Sequence, residues 1–96
     1  MPSYRVTLAV GALAAGVAPA AVLPGATAAA RDVAVVEASD VQVVSGQARI
    51  VVRFTADDAE VAAQVARHVA SRTDALARVS SWRLTERVGA RWEPVG

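Results

Sequence analysis

The arginines are the residues of this sequence whose type and spacing could bind a ligand. All ten basic residues are arginine and none is lysine. Five of them alternate with apolar residues in segments that have a strand pattern, so they are predicted to project from the sheet face that no helix covers. These five are Arg5, Arg49, Arg53, Arg83 and Arg87. Because a guanidinium group presents a planar fork to carboxylate and phosphate oxygens, such a face predicts binding of an anionic ligand, a nucleic-acid backbone or an acidic protein surface.

Two simpler interpretations of the arginines stay open. Alanine, arginine, valine and glycine are enriched together, which is what the codon usage of a high-GC bacterium produces. Charged side chains are also expected on the solvent-facing side of a sheet that is covered on one face only. The formal net charge is +1, which does not by itself indicate nucleic-acid binding. Nucleic acid is therefore a possible partner that the sequence does not favour.

Other residue types that carry chemistry are few. The chain has no cysteine and one histidine, His68. A single histidine without cysteines or a convergent carboxylate cluster does not form a common metal site, so no metal and no cofactor are predicted. Asp57, Asp58 and Glu60 are explained by helix capping and by compensation of the helix dipole. No nucleophile–base pair or acid pair can be argued from spacing, and the sequence therefore predicts a protein that is not an enzyme.

The first thirty residues have two competing interpretations. One arginine in Met1–Arg5, an apolar run over Val6–Leu23 and the small residues Ala28–Ala30 are typical of a secretory signal peptide (residues 1–30), which would leave residues 31–96 as an exported ββαββ domain. The segment Tyr4–Val10 also alternates large apolar with polar or small residues, which predicts a half-buried strand. Gly11, Gly16 and Pro19 interrupt the apolar run and Pro24 follows it. We therefore favour the strand and a single cytoplasmic domain over residues 1–96. The same breaks argue against a membrane span.

Helix and hairpin signals follow in the first half of the chain. An alanine-rich helix is predicted to begin at Pro19 or Pro24, since proline suits the first helical position, and to end near Asp32. The segments Glu37–Val44 and Arg49–Thr55 both alternate. The Ser-Gly-Gln sequence between them predicts a turn, and the two strands therefore form a hairpin.

The second half predicts one helix and two strands. Thr55 or Asp57 is the predicted cap of an amphipathic helix. Its apolar stripe consists of Val61, Val65, Val69 and Leu76. Alternation returns from Val79, with Trp82 on the core-facing parity, and a turn then leads into a short edge strand over Arg91–Val95.

This element order of strand, helix, strand, strand, helix, strand resembles the ferredoxin-like βαββαβ plait over roughly Tyr4 to Arg87. The resemblance implies the α+β class, with one antiparallel sheet carrying two helices on one face and a possible extra strand from the C-terminal hairpin. Motifs of its metal-binding, RNA-recognition and acylphosphatase-like members are absent. The chain lacks paired cysteines, aromatic residues at the open positions of the central strands, and asparagine. The resemblance therefore implies a fold and no particular activity.

The function predicted from the sequence is that of a small non-enzymatic binding domain. Aromatic residues make up 4% of the chain, so the core is expected to be thin and to gain from oligomerisation. We expect a homo-oligomer, or a subunit packed on a protein partner, with the open sheet face or an edge strand as the contact. Trp92 near the C-terminus is predicted to anchor such an interface. Anion or nucleic-acid binding by the arginine face and a small exported protein are the alternatives.

Overall fold

Alternating apolar and polar residues build a five-stranded antiparallel sheet, which the computed structural model describes together with two helices over residues 1–95. The strands are β1 (Ser3–Leu13), β2 (Val35–Val44), β3 (Gln47–Thr55), β4 (Ala77–Val88) and β5 (Arg91–Pro94). The helices are α1 (Val22–Arg31), entered through a 3-10 turn at Pro19–Ala21, and α2 (Ala59–Asp74).

The strand order across the sheet is β2-β3-β1-β4-β5. Each neighbouring pair is antiparallel. The predicted α+β class, with one antiparallel sheet and two helices, is confirmed. The fifth strand lies at the sheet edge beside β4, and it makes the sheet differ from a strict four-stranded βαββαβ plait.

The central strand is β1, which pairs with β3 on one side and β4 on the other. The predicted strand over Tyr4–Val10 is present and extends to Ser3 and Leu13. Every second side chain of β1 from Tyr4 to Val10 is buried against the helices, opposite the matching positions of β3. Tyr4 and Phe54 meet there with stacked rings whose centroids are 6.1 Å apart. The largest side chains of the core therefore lie where β1 and β3 pair.

Small residues let the helices approach the sheet and each other. Ala26 and Ala30 of α1 are fully buried. A Cβ atom at Gly25 would collide with the side chain of Leu76, so glycine allows close contact between α1 and the segment that follows α2. In residues 1–95 no helix is long and apolar enough to cross a membrane.

The N-terminus of α2 differs from the sequence prediction in its cap. Asp58, rather than Thr55 or Asp57, is the N-cap residue, and its Oδ1 accepts a hydrogen bond from the Val61 backbone N–H at 2.9 Å. Val61 was predicted to belong to the buried stripe and is exposed instead. The buried residues of α2 are Ala62, Val65, Ala66, Val69, Ala70 and Thr73. At 100° per residue the middle of this buried face lies roughly 110° from Val61.

Candidate anion-binding face of the sheet

The sheet face opposite the two helices, called the open face below, carries all five predicted arginines. Arg5 of β1 lies between Arg53 of β3 and Thr85 of β4. Two residues further along β1, Thr7 lies beside Arg83, and Ala9 then lies beside Arg49. Arg87 follows Thr85 by two residues and so has the same orientation. The strand pairing therefore gathers on one face arginines that are far apart in the sequence.

Trp92 lies on this face and contacts two of the arginines. It is paired with Arg87 across β4 and β5, and directly opposed residues of neighbouring strands share a face. The Trp92 ring centroid is 4.5 Å from the guanidinium carbon of Arg5 and 5.6 Å from that of Arg53. The negative face of an indole ring attracts cations, which offsets the repulsion between these directly opposed arginines. The residue predicted to anchor an interface is thus half-buried against its own chain.

Glu37 reaches the open face because β2 contains a bulge. The β2–β3 register shifts between Val36 and Ala38, which leaves Glu37 as the extra residue. Its Oε1 accepts hydrogen bonds from Ser3 Oγ at 2.7 Å and from Arg53 Nε at 3.2 Å. The Ser3 hydrogen bond and the Arg53 guanidinium lower the pKa of Glu37, against a smaller opposing effect of partial burial. Glu37 therefore neutralises Arg53.

The remaining arginines differ in whether they have a partner. Arg87 Nε donates a hydrogen bond to the Gly89 carbonyl oxygen at 3.1 Å. Arg49 and Arg83 make no side-chain hydrogen bond or ion pair with any residue between 1 and 95. The Nε atom of Arg5 is buried without a hydrogen-bond partner among those residues. The guanidinium groups of Arg49 and Arg83 are thus available to hold a ligand.

A shallow depression of about 480 Å³ lies over the centre of the open face. Arg5, Arg49 and Arg83 line it together with hydroxyl and amide side chains. These polar residues are Thr7, Ser81, Thr85, Gln42 and Gln47. Hydroxyl and amide groups donate to the same anionic oxygens that arginine binds. The depression can therefore hold carboxylate or phosphate groups by several donors at once.

The open face carries an excess of positive charge. Besides the five arginines, two carboxylates lie there. The strand pairing places Asp40 on this face, and the contacts with Ser3 and Arg53 place Glu37 there. Glu37 is occupied by Ser3 and Arg53, and Asp40 Oδ1 accepts the backbone N–H of Val41 at 2.8 Å. Neither carboxylate pairs with Arg49 or Arg83. The charge of the depression is therefore uncompensated by nearby acids.

Some features of the open face could not be predicted from the sequence. Alternation predicted the orientation of the arginines, but it did not indicate the bulge that brings in Glu37, because no glycine marks the bulge. The contact of the Trp92 ring with Arg5 and Arg53, which crosses β4, has no indication in the sequence around Trp92 either. Trp82, predicted on the core-facing parity, lies opposite the buried Leu8 but is 39% exposed and outside the buried cluster.

The other residues considered for chemistry lie away from the open face. His68 is in the helix layer, with Nε2 3.8 Å from Asp32 Oδ2. Asp58 caps α2, and Glu60 lies in its first turn. Over the part of the chain that the structure describes, histidine and carboxylate side chains form no group of three or more that could hold a metal ion.

The chain was compared with known proteins. No family model matches it, and neither a curated protein nor a solved structure gives a match.

Proposed function

We propose that the chain is a non-enzymatic binding domain whose open face binds an acidic segment of a protein partner. The observation that carries the proposal is the contrast between two sets of arginines. Arg53 and Arg87 are satisfied within the chain, whereas Arg49 and Arg83 face the depression without a partner among the described residues. Guanidinium groups left free beside hydroxyls and amides are suited to carboxylates presented by another molecule.

An acidic protein segment is favoured over nucleic acid for two reasons. Domains that bind nucleic acid usually carry a strongly basic charge, and the net charge here is +1. Single-stranded nucleic acids are bound largely by stacking on exposed aromatic side chains. The open face of β1 and β3 has none, and Trp92 is already stacked against Arg5.

The charge of the open face also disfavours self-association through it. Two copies meeting face to face would bring the same arginines against each other. Burying unpaired like charges is costly, since their desolvation is not repaid by attraction. A partner of opposite charge removes that penalty, so the face is better matched to an acidic ligand than to a second copy.

The test is binding of two labelled probes to the purified full chain, followed by fluorescence anisotropy. One probe is a fluorescein-labelled decamer of glutamate, and the other is a labelled single-stranded DNA 20-mer. We expect the peptide to bind and its affinity to fall with salt, because exposed charge pairs are screened. The variant R49S/R83S should weaken peptide binding about tenfold, which corresponds to about 1.4 kcal/mol.

The matched control is R67S/R72S, which removes the same charge from exposed positions on α2. It should change peptide affinity less than about twofold, because these arginines lie on the opposite side of the molecule. An equal loss in both variants would show that net charge alone attracts the peptide, and the proposal would fail. DNA binding that exceeds peptide binding and depends on Arg49 and Arg83 would assign the face to nucleic acid instead.

We further propose that the fold is a ferredoxin-like plait with one added edge strand. The proposal is supported by the order β2-β3-β1-β4, in which each helix connects two strands with a third strand lying between them. We place the protein in the cytoplasm with residues 1–30 retained, since they supply β1 and most of α1. Secretion after cleavage at residue 30 is the alternative, and the intact mass of the native protein distinguishes the two.

A further inference from the structure

The outer half of β2 is an unpaired sheet edge with exposed apolar side chains. β2 is an edge strand of the sheet, and Val41 and Val43 are 47% and 71% exposed on its helix-facing side. They border an apolar depression of about 500 Å³ with Leu13, Pro19 and Leu23. An unpaired strand edge of this kind is a template for pairing with another strand.

The two edges of the sheet are protected differently. The opposite edge, β5, has four residues and ends at Pro94, so it offers little backbone for pairing. The first half of β2 is interrupted by the bulge at Glu37. The second half, from Ser39 to Val44, pairs with β3 in continuous register and contains no proline. This second half is therefore the longest uninterrupted edge that the described sheet offers to another strand.

The direction of the backbone groups follows from one hydrogen bond. The Val41 N–H donates to Oδ1 of the preceding residue, Asp40, at 2.8 Å. It therefore points outward, and in an extended strand every second residue does the same. Ser39, Val41 and Val43 thus present their N–H and C=O groups to the free edge.

We propose that a second copy of this chain pairs antiparallel with β2 about a two-fold axis at Gln42. In this register Val41 of one copy opposes Val43 of the other. Both outward-pointing residues exchange backbone hydrogen bonds there once the Asp40 carboxylate releases the Val41 N–H. Their side chains meet on the helix-facing side, next to the two apolar depressions. An isologous interface requires such self-complementarity, with the same two residues opposing each other in both copies.

Charge excludes the register whose two-fold axis lies at Asp40. The contact of Val41 with Val43 distinguishes the axis at Gln42 from the axes at Val41 and Val43, which would oppose one of these valines to Ser39 or Ser45. Sheet continuity requires opposed residues to share a face, which limits the two-fold axis to residue positions. An axis at Asp40 would oppose two carboxylates, which is destabilising. An axis at Gln42 opposes two neutral amides and places Asp40 against Val44 of the other copy. No like charges then face each other across the strands.

The pairing would also bring two anion-binding faces together in one dimer. This consequence, unlike the pairing itself, rests on the proposed function. The two-fold axis is perpendicular to the sheet, so both open faces lie on the same side. Arg49 is paired with Gln42 across β3 and β2. Two such arginines would lie about 14 Å apart across the dimer, at roughly 4.8 Å per strand. A dimer would then offer one acidic segment two adjacent arginine clusters.

The register is tested by cysteine cross-linking. The chain has no native cysteine that could form a competing disulfide. Gln42 opposes itself in a pair that shares no backbone hydrogen bonds, where Cα atoms are about 4.5 Å apart and disulfide geometry is accessible. Q42C is expected to form a disulfide-linked dimer under mild oxidation. The control V44C lies on the same strand and face but opposes Asp40, and it should cross-link at least tenfold more slowly.

The association itself is measured by sedimentation equilibrium of the unmodified chain. The five residues of β2 that pair in each copy, Asp40 to Val44, bury less than a standard stable interface. The mass should therefore rise from 9.9 kDa towards twice that value with concentration. V43K should remain monomeric, and V35K should still dimerise, since Val35 is similarly exposed but lies before the bulge. A monomer at every concentration, or equal cross-linking of both cysteine variants, would overturn the proposal. R49S/R83S should leave the dimer intact, which separates this test from that of the arginine face.

Discussion

The guanidinium carbon of Arg5 lies 4.5 Å from the ring centroid of Trp92, which connects the central strand of the sheet to an edge strand. β4 separates these two strands, so the contact spans the sheet on its open face. A strand of four residues that ends in proline has few backbone hydrogen bonds of its own. The interaction with Arg5 and Arg53 therefore holds β5 in place and also fixes one wall of the candidate site.

Replacing Trp92 should weaken this connection. W92L removes the cation–π interaction, and we expect a loss of about 1 kcal/mol in the free energy of unfolding. Urea titration followed by circular dichroism measures the loss. The control W82L replaces a tryptophan that is outside the buried cluster, and it should cost less than half as much. Equal losses would mean that the Arg5 contact contributes no specific stabilisation.

Glu37 should make the stability of the protein depend on acid pH. Its pKa in the folded state is lowered, chiefly by the hydrogen bond from Ser3 and also by Arg53. The carboxylate therefore stabilises the fold above its unfolded pKa of about 4.3, and this contribution is lost as the pH falls through the lower folded value. The difference in unfolding free energy between the wild type and E37Q should shrink from pH 6 to pH 3.

The variant S3A serves as a second probe of the same carboxylate. Removing the Ser3 hydroxyl should move the acid transition to higher pH without changing any charge. At pH 7 a double-mutant cycle between E37Q and R53Q should give a coupling of about 0.2–1 kcal/mol, as expected for a partly exposed ion pair. Identical acid profiles for the wild type and E37Q would contradict this assignment.

Sequence periodicity predicted the elements whose side chains alternate regularly. The period of two in Tyr4–Val10 and Arg49–Thr55 gave both the strands and the face on which Arg5, Arg49 and Arg53 lie. In a strand, alternate residues point to opposite faces of the sheet, so the period of two directly gives the face on which each residue lies. That is why the open face could be described before any contact was known.

The features that sequence periodicity missed depend on packing between distant segments. The bulge at Glu37 inserts one residue without changing the residue types around it, so the alternation of apolar and polar residues does not reveal it. Helix capping was predicted but assigned to the wrong residue, because adjacent acids compete for the role. Asp58 caps α2 because the chain leaves β3 only after Ala56, whose N–H still bonds the Pro2 carbonyl oxygen.

The choice of cap can be measured with two adjacent variants. D58A should lose about 1 kcal/mol of unfolding free energy, since it removes the acceptor for the Val61 N–H. D57A removes the same charge one residue earlier and should change stability by less than about 0.5 kcal/mol. Urea midpoints at pH 7 compare the two. A larger loss in D57A would return the cap to the residue that the sequence predicted.

Tyr4 should resist ionisation in the folded protein. Burial raises its pKa above 10.0, and the negative charges of Glu86 and Asp58 act in the same direction. The neutral phenol stabilises the fold below the unfolded pKa, and this contribution is lost as the pH rises through the folded value. Tyr4 is the only tyrosine, so absorbance at 295 nm follows it alone. Titration at the same pH in folded and urea-unfolded protein would contradict the burial effect, and Y4F should unfold at higher pH than the wild type.

Removal of residues 1–30 should abolish the fold. β3 and β4 each pair with β1 and not with each other, so its loss leaves two broken edges and exposes the core positions of Ile50, Val52 and Leu84. The chain 31–96 should show no cooperative thermal transition by circular dichroism. The control chain 1–90 lacks only the edge strand β5 and should still melt cooperatively, with a lower midpoint. A cooperative transition in the 31–96 chain would show that the core forms without β1 and would favour the exported form, whereas its absence makes residues 1–30 part of the working domain.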